Sequence, residues 1–377
     1  MEYVPRCFVA FLLLGLAISY SILPRIALAE EDEGLNLKSR TFMAVPLINN
    51  NPAMKWGFGG MAMYMFRLKQ SDEISPPSLV SLGGLYSTNQ SYILGLLSQL
   101  YFAEDKYRIT AGIGTSRINN DFEYDFGFIT PVRLVYSEVR SFFVAQLSRA
   151  VIQHLYVGLQ YSGTQTRYRF DRGTDEQNQF AEALFDSLGI TDDFKSSIGL
   201  PFSYDTRDYT YYPSNGMVLS VRPTIYAEWL GGDDNYTSVT YSLSAYKRIA
   251  RDKVIAGKIA GGHSFGDVPF SGYQAYGTRG TLRGYPAGKY RGKNMIGGQI
   301  EYRWQFYKRF GMVAFAGTGT VWGNEEDEED FERDWLPSVG LGLRYMISTE
   351  KRINFRADYA WGVNGNDGFY IGVMEAF

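Results

Sequence analysis

The residues best equipped for chemistry lie in one stretch, Thr278-Arg-Gly-Thr-Leu-Arg283-Gly284-Tyr285-Pro-Ala-Gly-Lys-Tyr-Arg-Gly292. It is too rich in glycine and basic residues to be a plain hairpin. A guanidinium taken out of water needs a partner, and the planar fork of arginine suits a bidentate carboxylate contact. Glu301, on the polar face of the strand that follows, is the natural partner for Arg283. Gly284 permits a tight turn, and Tyr285 can pack against a neighbouring wall. Arg283 fits a structural strut and a gating element equally well, because an inward-facing ion pair serves both. The wider basic cluster of Arg279, Arg283, Lys289, Arg291 and Lys293 has two readings, an anion-selective constriction or a set of pairs with wall carboxylates.

Other chemistry is sparse. The chain has two histidines, His154 and His263, and neither has a nucleophile at a compatible strand position. There is no Gly-x-Ser-x-Gly elbow, phosphate loop or His/Asp/Glu metal spacing, so no enzyme, catalytic residue, cofactor or metal site is expected. The acidic run Glu325 to Asp330 could gather divalent cations, although a charge run in a loop is usually just solvated. The single cysteine, Cys7, precedes the expected mature chain, which leaves no thiol for disulfides or thiol catalysis. A formal net charge of −3 argues against a nucleic-acid partner.

The elements that must position Arg283 and Glu301 are strands. Ile296, Gly298, Ile300, Tyr302, Trp304 and Phe306 fall on one face, and Gly297, Gln299, Glu301, Arg303 and Gln305 on the other. A helix would scatter that pattern. Ile353, Phe355, Ala357, Tyr359 and Trp361 alternate in the same way with Asn354, Arg356, Asp358 and Ala360, and similar alternation surrounds Val339 to Tyr345 and Val239 to Ala245. Between strands, the segments near 307–311 and 348–352 are short, whereas 171–194, 227–235 and 323–334 are long and polar. Short turns at one end and long loops at the other mark a transmembrane barrel rather than a soluble sandwich. Residues Glu176 to Gly189 have helix-like spacing and predict a small helix in an outer loop.

Composition agrees. The chain contains 29 Tyr, 25 Phe, 6 Trp and 41 Gly, which suits aromatic girdles and tight turns. The start reads as a charged segment ending at Arg6, an apolar run from Phe8 to about Leu23, and Ala27-Leu28-Ala29 before Glu30, the layout of a secretory signal. The expected organisation is a signal peptide over 1–29, a short periplasmic tail over 30–39 and an all-β transmembrane antiparallel barrel over 40–377. Counting alternating segments from Trp56 to Phe377 gives about sixteen strands, with an inward-folded loop before the strand at 296–306. Closure requires the last strand, 369–377, to pair with the first, around 55–67. Gly57, Gly59 and Gly60 in the one and Gly372 in the other would weaken that seam, with Phe377 as its aromatic end.

The Leu-Arg-Gly-Tyr core, followed by Asn294 and Glu301, resembles the bacterial surface antigen family, the outer-membrane barrel of BamA- and TamA-type assembly factors and two-partner secretion transporters. Tyr204-Asp205-Thr206-Arg207-Asp208, with Pro213 and Gly216, resembles the family's periplasmic turn, and Phe315 to Trp322 resembles the strand after its loop. The resemblance implies that the loop folds into the lumen, its arginine held by acidic and aromatic wall residues. It also implies that the terminal strand ending in Phe377 is presented to barrel-insertion machinery. The family usually has Asp where this chain has Gly317, which leaves Glu301 to carry more of the pairing.

Members with known transport roles carry periplasmic repeats ahead of the barrel, where this chain has about ten residues, Glu30 to Ser39. The resemblance therefore implies an outer-membrane barrel assisting protein or lipid insertion or translocation, its partners being membrane lipid, a client and a separate periplasmic protein. The alternative is a passive or plugged pore without client recognition.

Overall fold

In a computed structural model of the protein, the alternating segments form one closed antiparallel wall. The structure describes residues 41–51, 55–72, 74–124, 132–187, 189–209, 212–275, 282–285, 290–323, 335–349, 352–363 and 365–377. The expected signal and tail, the acidic run 325–330, Arg279 and Lys289 lie outside the described residues.

The wall begins with β1 (Thr41–Asn51), β2 (Lys55–Phe66), β3 (Ser78–Ser87) and β4 (Tyr92–Phe102). It continues through β5 (Tyr107–Tyr124), β6 (Val132–Ile152) and β7 (Leu155–Arg169). The next strand, β8, is interrupted: Asp193–Gly199 and Phe202–Asp205 both pair with β7 on one side and with β9 (Gly216–Tyr226) on the other. Then come β10 (Tyr236–Ala250), β11 (Lys253–Gly266), β12 (Asn294–Tyr307) and β13 (Phe310–Trp322). The last three are β14 (Ser338–Ser348), β15 (Ile353–Gly362) and β16 (Asp367–Val373). The sheet has seventeen hydrogen-bonded segments, and since two are halves of β8, the wall has sixteen strands, the expected total, of which fifteen lie in the stretch where the alternation is counted and β1 lies before it.

Its polarity is inverted relative to a soluble protein. Gln99, Gln160, Gln299, Glu301, Arg303 and Asp358 are buried, while Leu82, Ile113, Leu159, Ile300 and Leu341 are exposed. On β12 the odd-numbered polar residues point inward and Ile300 and Tyr302 outward, so the two faces read from sequence are the lumen and the lipid face. No helix among the described residues is long and apolar enough to cross a membrane.

The ends differ as expected. Gln153–His154, Arg251–Asp252 and Lys308–Arg309 make two-residue turns at one rim, and the long connections lie at the other. The turn from Asp205 to Gly216 is built as its motif suggests: Arg207 Nε and Nη2 donate to Asp205 at 2.9 and 2.8 Å, and the Ser214 amide donates to Asp208 at 2.8 Å. Burial opposes charge on Asp208, yet hydrogen bonds from Ser214, Asn215 and Tyr209 hold its carboxyl below the usual range. Strands β5 and β6 run to 18 and 21 residues, longer than the roughly 9–11 that cross a bilayer, and they rise above the wall on the loop side. Against the inward-facing Leu134, Tyr136 and Tyr168 of this extension packs α1 (Asp175–Ser187), through Ala181 and Phe185. The expected loop helix therefore leans over the lumen mouth.

The seam departs from expectation in two ways. The strand that closes on β16 is β1, not the segment 55–67. Gly57, Gly59 and Gly60 pair with Asn49, Leu47 and Pro46 of β1 and do not meet the last strand. The Met43 to Ile48 stretch hides from a pattern reading because it is apolar without alternation and contains Pro46, which cannot donate to a ladder. Proline is tolerated there because, among the described residues, β1 and β16 share one register pair, Asn50 with Phe369, away from Pro46. The last strand is also shorter than 369–377 suggests. It ends at Val373, and Gly372 pairs with Arg356 of β15. Met374 adopts a left-handed φ of 69°, after which Glu375 and Phe377 turn into the lumen, so Phe377 is not part of the seam.

Candidate functional site in the barrel lumen

Three inward rows converge at mid-height: Gln299, Glu301 and Arg303 on β12, Arg344 on β14, and Asn354, Arg356 and Asp358 on β15. Into this space the connection between β11 and β12 delivers Leu282, Arg283, Gly284 and Tyr285. Arg283 is fully enclosed, at 0% exposure. Its Nε donates to Gln299 Oε1 at 3.1 Å, Nη1 to Asp358 Oδ2 at 2.7 Å, and Nη2 to Glu301. The guanidinium carbon lies 3.4 Å from the centroid of the Phe315 ring, a cation–π contact that closes the remaining side.

The expected pairing of Arg283 with Glu301 is present, and the acidic partner absent at position 317 is replaced from another strand. Asp358 supplies it, which corrects the expectation that Glu301 carries the load alone. Glycine at 317 has its own cause. A Cβ there would lie 2.5 Å from the Gly298 carbonyl oxygen and 2.9 Å from Leu282 Cδ1, so the loop tip sits where a side chain would stand. We expect Gly317→Asp, although it installs the acid that the resemblance implies, to destabilise the loop by about 1–3 kcal/mol, as overpacking does. Faster proteolysis of the loop is the readout, and unchanged protection would show that the tip can yield.

Gly284 has φ of 100°, where an L side chain is strained, and its Cβ would come within 3.3 Å of Gly362 N and Ser338 Cβ. Its amide donates to Tyr370 Oη on β16 at 2.9 Å. Tyr285 packs with Leu282, Met295 and Leu336, donates its hydroxyl to the Pro337 carbonyl, and accepts from the Val363 amide at 3.2 Å. The loop tip is thus fastened to β12 and β15 by charge, and to β16 and the two neighbouring connections by hydrogen bonds.

The network continues toward the turn side. Arg303 Nε donates to Glu301 Oε2 at 2.8 Å, Arg356 Nη1 to Asp358 Oδ2 at 3.2 Å, and Arg344 bridges Asp358 and Glu375. Arg303 Nη2 also donates to the backbone oxygen of Phe377 at 2.9 Å. Four guanidinium groups therefore interleave with three carboxylates, a pattern that keeps every buried charge beside an opposite one.

At the other end of the loop, Arg291 is buried, at 2% exposure, within electrostatic reach of Glu138 and Arg140 on β6. Burial and Arg140 lower its proton affinity, and Glu138 opposes them. The basic cluster is thus divided: Arg283 and Arg291 engage opposite walls, and Lys293 is half-buried. His154 occupies a two-residue turn, and His263 Nδ1 lies 3.0 Å from Asn294 Oδ1 on the neighbouring strand, a local structural contact.

Sequence reasoning named Arg283, Gly284, Tyr285 and Glu301, and the structure brings them together. It missed Asp358, Gln299, Phe315 and Tyr370 as partners. Asp358 and Gln299 already stood on the polar faces of their strands, which was the available signal. Which polar residue faces which across a lumen depends on closure, and no spacing along the chain encodes that.

Comparison with known proteins agrees with this geometry. A family model described as the Omp85 superfamily domain matches residues 78–377. The outer membrane protein assembly factor BamA of Nitratidesulfovibrio vulgaris (strain Hildenborough) is 25% identical over 205 residues, 49% of this chain and 26% of that protein. The chain spans about a quarter of the length of that curated relative. Among solved structures, BamA from Haemophilus ducreyi lacking POTRA domains 1–3 superimposes with a TM-score of 0.55 at 16% identity, covering 89% of this chain and 70% of that one. CdiB from Escherichia coli does so with a TM-score of 0.60 at 11% identity, covering 88% and 61%. At these identities the structural likeness speaks for the fold.

Proposed function

The chain belongs to the Omp85 superfamily, and from that premise we propose that it inserts or translocates polypeptide at the bacterial outer membrane by parting the seam between β1 and β16. Its place is the outer membrane, with the short turns on the periplasmic side. The observation that carries the reading is the seam. Strand β1 pairs along its whole length with β2, but its register with β16 among the described residues is the single pair Asn50 and Phe369, whereas β2 and β3 share ten register pairs. Ladder hydrogen bonds hold each neighbouring strand pair, so the wall opens most cheaply where they are fewest. Open strand edges would then face an incoming strand, and a client can add to them by pairing.

Loop and seam are mechanically joined. Tyr370, adjacent to the seam residue Phe369, accepts from the Gly284 amide, so movement of the loop tip and movement of β16 are coupled. Under this reading Arg283 is a latch. A passive diffusion pore is less well supported, because the loop and the Glu375 to Phe377 tail occupy the lumen and α1 leans over its mouth. The proposed partners are a client polypeptide, a periplasmic protein that delivers it, and the machinery that inserts this barrel by reading its terminal strand. The reading involves no chemical catalysis.

A cysteine pair tests the seam. Asn50 and Phe369 are register partners, and directly opposed residues in an antiparallel pair lie roughly 4.5–5.5 Å apart at Cα, within disulfide range. The one native cysteine, Cys7, belongs to the expected signal peptide, outside the described residues. Oxidising Asn50→Cys/Phe369→Cys should abolish client insertion in a reconstituted assay, and reduction should restore it. Full activity in the oxidised form would refute lateral opening and favour the pore.

A further inference from the structure

Basic residues at the periplasmic turns are treated differently around the ring. On the β4–β8 side most are neutralised within their own turns, and the exposed Arg149 stands singly, 5.8 Å from the Tyr107 ring centroid. Lys106 pairs with Glu104 at 2.9 Å, Arg108 with Asp105 at 2.6 Å and Arg207 with Asp205 at 2.8 Å. On the β10–β13 side they are not. Lys247, Arg251, Lys308 and Arg309 are all exposed, and among the described residues none forms an ion pair. The carboxylate nearest in sequence, Asp252, is engaged as the acceptor of the Trp304 indole N–H at 2.8 Å.

The apolar surface beside these charges is lipid-facing wall. Lys247 shares the outward face of β10 with Leu243 and Ile249, so its stem lies along the barrel's apolar surface while its ammonium reaches the rim. Phe306, Tyr307 and Phe310 are exposed around the Lys308–Arg309 turn. Cations also stand over the interfacial rings, with Lys253 Nζ 5.4 Å from the Trp304 centroid and Lys308 Nζ 5.3 Å from that of Tyr307. Strands two apart in a sheet put these turns roughly 10 Å from each other, close enough to act on one patch of membrane.

We propose that the β10–β11 and β12–β13 turns together form a binding surface for anionic phospholipid of the periplasmic leaflet. Lys247, Arg251, Lys308 and Arg309 meet the phosphate groups, and Trp304 and Tyr307 seat at the depth of the glycerol backbone. The occupant is a lipid rather than an acidic protein because the charges border the apolar wall instead of standing clear of it, and a headgroup carries its negative charge to that depth. A consequence is that anionic lipid gathers beside the strands flanking the lumen loop, β10 to β13, more than along the opposite arc of the rim, where exposed basic residues stand singly.

Native mass spectrometry of the purified full chain in detergent, titrated with phosphatidylglycerol against phosphatidylethanolamine, reads this directly. Wild type should retain phosphatidylglycerol with roughly tenfold or greater preference, given the attraction of each basic side chain for an anionic surface. Lys247→Gln/Arg251→Gln/Lys308→Gln/Arg309→Gln should bring the preference close to one. Neutralising the opposite arc with Lys69→Gln/Lys106→Gln/Arg149→Gln should leave it in place. Equal retention of both lipids by wild type, or equal loss in both variants, would overturn the proposal, and an acidic-protein surface would give the former. Should the fourfold variant fail to fold by circular dichroism, the two double variants, one per turn, carry the same test, each expected to lower the preference severalfold and a lack of effect in both counting against it.

Discussion

Deleting residues 278–292 should convert a small, flickering single-channel conductance in planar bilayers into a large, steady one. A sixteen-stranded wall encloses a lumen too wide for its own side chains to fill, so whatever blocks the pore must be supplied by a segment folded inward. The loop does this at mid-height. Arg283 is held by Glu301 and Asp358 on one wall, and Arg291 is buried beside Glu138 and Arg140 on the other. Removing the segment takes away both anchors at once. The remaining obstructions are local, since α1 leans on the β6–β7 extension and the terminal residues lie near Arg303. A wild-type pore that is already wide and steady would mean that the loop does not span the lumen in the membrane, and would revive the diffusion-pore reading.

Arg283→Ala should weaken loop anchoring by about 3–5 kcal/mol, the range found when one partner of a buried ion pair is removed. The cost arises in what is left behind. Glu301 and Asp358 retain Arg303, Arg344 and Arg356, but the space between them loses its charge, the Gln299 contact and the cation over Phe315. If the loop is cleaved only after it opens, the lower figure corresponds to protease cleavage faster on the order of a hundredfold. Arg283→Lys keeps the charge but cannot address three acceptors in one plane, so it should fall between wild type and alanine. Combining Arg283→Ala with Glu301→Gln should cost less than the sum of the two, because each single change already breaks the same contact. Cleavage unchanged in Arg283→Ala would remove the latch from the mechanism.

Both predictions concern residues that the sequence already exposed. Period-two alternation from Ile296 to Phe306 and from Ile353 to Trp361 determined the strands, their two faces and the barrel class, because a strand between lipid and a polar lumen must repeat every second residue. The Leu-Arg-Gly-Tyr stretch and Glu301 were legible for the same reason: a buried arginine demands a carboxylate, and one lay on the polar face of the next strand. A total of about sixteen strands was also legible, although the count began at Trp56 and left out β1, since Pro46 and an unbroken apolar run disguise that strand.

Tertiary structure alone decided the rest. Asp358 reaches Arg283 from a strand 75 residues away because ring closure and register set them at one height. Gly317 reads as a missing acid in sequence and as room for Leu282 in space. The seam shows the contrast most plainly. Its glycines suggested weakness from composition, whereas the proposed weakness rests on how few register pairs the described residues of β1 and β16 share, with Met374 turning the chain end inward. Local pattern fixes which way a side chain points, and only closure of the wall fixes what it meets.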